Sequence, residues 1–175
     1  MKDQLIKAVV RALFWMTTQR QATGRIQHCL DSYLALCQRM GPEAGRRQVQ
    51  VPPMLGVDED MRGWSLFMIL EHTTIVNGHI TRTVHALSQE IDPPDFDMKL
   101  DVTPSAVSGE EQMQTFRVSV EEHLALVSSL AGLRGTSTHR HPFFGHLTAH
   151  GWHCMFGLHL RIHQRQAEAV GRILA

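Results

Sequence analysis

Residues 148–173 read TAHGWHCMFGLHLRIHQRQAEAVGRI, and their apolar spacing decides the fold. Trp152, Phe156, His159, His163, Gln166, Val170 and Ile173 follow one another at steps of 4, 3, 4, 3, 4 and 3. That is the seam of a helix packed lengthwise on other helices. Thr148 stands where its N-cap belongs. Two histidines occupy the seam one turn apart, with Cβ atoms about 5–6 Å from each other. Their imidazoles can therefore converge on one ion. On an exposed face HxxxH would carry little weight. In a seam each buried ring needs partners, and two like rings side by side supply none without a shared cation.

A third ligand has to come from another helix. A stripe through Met61, Trp64, Met68, His72, Ile75 and His79 marks one, starting near Asp58 and running to about Ser88. His72 lies mid-helix between apolar turns and is the third ligand of choice, with His79 held in reserve. Glu71 is turned about 100° from His72 on a helix, which makes it a supporting or surface group. A further stripe, Met113, Phe116, Val120, His123, Val127 and Leu130, brings His123 to the core or its edge. The edge is the favoured placement for His123, with a role as fourth ligand or support to the ligands as the alternative. His139, His141, His146, His150 and His153 are expected to be exposed or capping.

No segment alternates cleanly, so no strands are expected. The first helical stretch covers residues 2–40, with Ile6, Val9, Leu13 and Met16 followed by Ile26, Leu30, Tyr33 and Cys37. Its polar middle contains Gly24, and one bent helix is favoured over a break there. Residues 41–56 form a Pro/Gly-rich connector. Pro93 and Pro94 stop the next helix, and 91–104 is an irregular crossover. Ser108 and Glu111 form a capping-box pattern for a helix reaching about Leu133. The loop 135–147 leads to the last helix. The expected fold is all-α: one domain over 1–175, an antiparallel four-helix bundle with a long crossover loop.

Composition narrows the classes. Among 175 residues, 43% are hydrophobic and 19% charged, and 17 basic residues balance 17 acidic ones. That is a globular composition, without the basic excess that nucleic acid attracts. No apolar run is long enough to span a bilayer. The N-terminal stretch mixes charges with apolar residues and reads as a helix, not a signal peptide. Cys29, Cys37 and Cys154 show no CxxC pairing, fit a reducing cytoplasm, and are expected to be small buried hydrophobes.

Gly63-Trp64-Ser65, Glu71-His72, then His141-Pro142-Phe143-Phe144-Gly145, Leu147-Thr148, Trp152 and His159-(x)3-His163-(x)2-Gln166 together resemble the DinB/YfiT-like superfamily over nearly the whole chain. His146 stands where proline is expected in an HPxFGPLT loop. The resemblance implies a four-helix bundle with a three-histidine site for zinc, nickel or another divalent ion, here His72, His159 and His163. It also implies frequent homodimerisation, and an activity of the thiol S-transferase or thiol-dependent isomerase kind.

Three imidazoles leave at least one coordination position open, as reactive sites do. Because the ligands are neutral, the ion keeps its full charge, which can hold a thiol as thiolate or activate water. The first reading is therefore a metal-dependent S-transferase joining a small thiol to a small electrophile, with zinc or nickel as the metal. A metal-dependent hydrolase and a non-catalytic, metal-stabilised sensor are the alternatives. No catalytic base is evident in the sequence.

Overall fold

The structure, a computed structural model, describes residues 2–94 and 102–175. Five α-helices account for most of them: α1 Lys2–Met16, α2 Gln19–Arg46, α3 Leu66–Ser88, α4 Glu111–Ser129 and α5 Ala149–Leu174. A two-stranded antiparallel sheet, β1 Thr138–His141 and β2 Gly145–Thr148, precedes α5. The helical character matches the expectation, and the sheet corrects the absence of strands. Each strand has only four residues, and it is the reversal between them that fixes the pairing. Gly145 turns the chain at φ 75, a backbone conformation that glycine adopts without a steric penalty.

α5 is central. It packs against α2 and α3, and α3 also packs against α4. Its seam residues from Trp152 to Val170 are buried, while Ile173 in the last turn is 49% exposed. Thr148 caps it by accepting from the Gly151 amide, as expected. The buried apolar residues form one cluster, in which the Tyr33 hydroxyl donates to the Leu160 carbonyl across the α2–α5 contact. No helix among the described residues is long and apolar enough to cross a membrane.

The first helical stretch breaks, but not at Gly24, which lies inside α2. Thr18 adopts an extended conformation and accepts from the Gln21 amide, while the Gln21 side chain accepts from the Thr18 amide. This reciprocal pair satisfies two helix-end donors and starts a new helix. α1 consequently folds back onto α5 with Phe14 as its one buried side chain among the described residues. The supposed core positions Ile6, Val9, Leu13 and Met16 are exposed.

Three other boundaries move. α2 runs on to Arg46 through a kink at Gly41, whose φ of 69 lets Pro42 open a final turn. Asp58 precedes only a short 3-10 turn and makes no side-chain cap; α3 begins instead after Ser65, which accepts from the Met68 amide. Ser108 does not cap α4. Its hydroxyl is bonded to Glu71 and to the Ser105 carbonyl, and α4 ends at Ser129 rather than near Leu133. Part of the expected crossover, residues 95–101, lies outside the described residues.

Candidate metal centre

α3 and α5 bring His72, His159 and His163 together in the core. One ring nitrogen of each lies within 4.8 Å of the other two, and all three residues are buried. His72 Nδ1 stands 2.8 Å from the Val102 carbonyl. A carbonyl only accepts, so Nδ1 carries the proton and Nε2 is left with its lone pair. His163 is fixed in the same way. The Gln166 amide donates to the Met61 carbonyl at 2.7 Å, which turns Gln166 Oε1 toward His163 Nδ1 at 2.8 Å. Two of the three rings are therefore held in the tautomer that offers Nε2.

His159 Nε2 lies 3.3 Å from His72 Nε2. Two nitrogens about 2.0–2.1 Å from one tetrahedral ion stand about 3.3 Å apart. His159 Nδ1 is buried without a partner among the described residues. Burial pushes the His72 pKa down, partly offset by Val102. For His163, burial and the neighbouring His72 lower it to about 3 against the opposing pull of Gln166. For His159, burial followed by His163, His72 and His141 holds it well below the usual imidazole value. All three rings are neutral near pH 7, the state in which imidazole ligates. The triad could hold a metal ion, and the donor set, the tautomers and the spacing all fit one.

The other histidines divide. His79 is half-buried with Arg82 Nη2 at 2.9 Å from its Nδ1, and it is not part of the triad. His123 corrects the edge placement. It is wholly buried, stacked on Phe156 at 3.8 Å, with Nε2 at 3.0 Å from His153 Nδ1 and Nδ1 at 3.0 Å from Thr81. It is not one of the three residues whose ring nitrogens converge. His153, expected to be exposed or capping, is the buried second half of that pair. His150 does cap, but from within: its Nε2 donates to the Phe14 and Thr17 carbonyls at the end of α1. His146 is exposed and His139 half-buried. His141 is buried, against expectation, and its position close to His159 was not foreseen.

Glu71 acts at a distance. Its carboxylate accepts from the Ser105 amide at 2.8 Å and from the Ser108 hydroxyl. It thereby ties down the segment whose Val102 carbonyl orients His72. The three cysteines are buried and unpaired, as expected, and burial pushes each thiol up to about 11.

A cavity of about 150 Å³ opens beside His159, walled by Val76, Ile80, Trp152 and Met155 with His141 at one side. A larger cavity of about 660 Å³ lies between α1, α2 and α5 and shares no residue with the triad. Comparison of the chain with protein-family models, curated proteins and solved structures gives no match.

Proposed function

We propose that this chain is a DinB-like metalloprotein, with α2, α3, α4 and α5 as its antiparallel four-helix bundle and α1 as an addition. In this reading Nε2 of His72, His159 and His163 holds one divalent ion, zinc or nickel. The activity is that of a metal-dependent S-transferase, which joins a small thiol to a small electrophile. The observation that carries the reading is the pair of fixed tautomers, His72 on Val102 and His163 on Gln166, beside a cavity that reaches His159. Such outer partners are what orient imidazole ligands and raise their basicity.

A divalent ion bound there would supply the positive charge that keeps a thiol deprotonated at neutral pH. The chain's own part is to exclude water with Trp152 and Met155 and to hold the three rings neutral. The sulfur–carbon bond forms as the electrophile's leaving group departs with the bonding pair, and the thiol proton goes to solvent. No Asp or Glu among the described residues lines the cavity. The thiol reading is favoured over a hydrolase by the resemblance of the sequence to DinB/YfiT-like proteins.

The test uses cobalt-substituted protein. Addition of a small thiol such as 2-mercaptoethanol is expected to produce a thiolate-to-metal charge-transfer band at pH 7. No band with any of several small thiols, on protein carrying cobalt, would refute the S-transferase reading.

A further inference from the structure

His141 is held in one tautomer by its own turn. Its Nδ1 accepts from the Phe143 amide at 3.1 Å and from the Phe144 amide at 3.2 Å. A neutral ring that accepts at Nδ1 must donate at Nε2. Because Nδ1 accepts from two amides it carries no proton, and the ring is the neutral one. No protein acceptor meets Nε2 among the described residues, although the residue is only 4% exposed and forms part of the cavity wall beside His159. That donor is left for water or for a ligand that enters the cavity.

The rest of the wall says what that acceptor is attached to. Val76, Ile80, Trp152 and Met155 make one side apolar or aromatic, while His79, Thr83 and His139 add polar groups and Arg140 stands at the exposed rim. A space of about 150 Å³ with this apolar side takes a body the size of benzene. No described Asp or Glu in the wall would repel an anion.

We infer that this cavity binds a small carboxylate with a compact apolar body, and that His141 Nε2–H donates to its carboxylate oxygen while Arg140 attracts it at the rim. This rests on the proposed function, of which it names the substrate class: one of the two reactants carries a carboxylate. His141 is then a ligand-contacting residue set by Phe143 and Phe144, with no change of its protonation required.

The test is calorimetric titration of the zinc-loaded full chain with benzoate and with benzyl alcohol, its neutral counterpart. Benzoate is expected to bind about tenfold or more tightly, the scale of one hydrogen bond to a charged group. His141→Asn keeps an acceptor where Nδ1 was, so the turn is preserved, while its shorter amide does not reach the position of the Nε2–H donor. In that variant the preference for benzoate should fall to about threefold or less, with benzyl alcohol affinity unchanged. Should the variant misfold, the wild-type His141 Nε2–H resonance still reports, moving downfield with benzoate and not with benzyl alcohol. Equal affinity for the two probes, a preference unchanged in His141→Asn, or a stationary Nε2–H resonance would each overturn the inference. Zinc content measured on the same samples reports separately on the metal reading.

Discussion

Gln166 illustrates how one side chain can decide what a neighbour offers. Its amide donates to the Met61 carbonyl, so its oxygen is the only atom left for His163 Nδ1. Replacing Gln166 by Leu removes that acceptor and frees the His163 ring to rotate or change tautomer. Metal affinity is expected to fall by about 10- to 100-fold, the scale on which such partners act. Competition with a chelator of known affinity checks it, and an unchanged affinity would mean that the ring is oriented by packing alone. The buried histidines also set a pH dependence. His163 and His123 are lowered to about 3, and His153 to about 4. The unfolded chain, with imidazoles near 6.5, then binds more protons than the folded one, so stability rises with pH in this window. It is fully present above about 6.5 and lost as pH falls toward the folded values, at up to about 1.4 kcal/mol per pH unit for each such ring. Denaturation midpoints of metal-free protein at pH 8, 6 and 4 are expected to fall in that order. A midpoint that is flat from pH 8 to 4 would contradict the burial of these rings.

The break between α1 and α2 rests on Thr18 and Gln21. Thr18→Ala removes a cap and is expected to cost about 1 kcal/mol, read from urea unfolding. No change would mean that the break is held by the contact of Phe14 and His150 instead. This element also marks where sequence reading fell short. α5 was legible because its stripe runs unbroken for six steps behind a good cap. The break was not, because Thr18 and Gln21 sit in a polar tract without a stripe, where Gly24 offered the more obvious interruption. The hairpin escaped notice because strands of four residues carry too little pattern, and its pairing follows from the turn that His141 and Gly145 make. The triad could be read because its members occupy seam positions. The roles of Val102, Gln166 and His141 could not, since each depends on contacts that spacing does not specify.

For the molecule as a whole, the triad joins α3 to α5 through the centre of the core. An ion that binds only the folded chain stabilises it by about 4 kcal/mol at a thousandfold excess over Kd. Chelation at pH 8 is therefore expected to lower the melting temperature markedly. Because burial keeps the folded rings neutral well below 6.5, the chelator effect is expected to persist at pH 5 and to fade only as pH approaches the folded values. Equal melting at pH 8 with and without chelator, on protein shown to have lost its metal, would separate the triad from the stability of the fold. The most direct test of the central claim is elemental analysis of tag-free protein, wild type beside the His159→Ala/His163→Ala double variant, with helix content of both verified by circular dichroism. The account predicts about one divalent ion per folded wild-type chain and none retained by the variant; an ion held at the same stoichiometry by the double variant would contradict it.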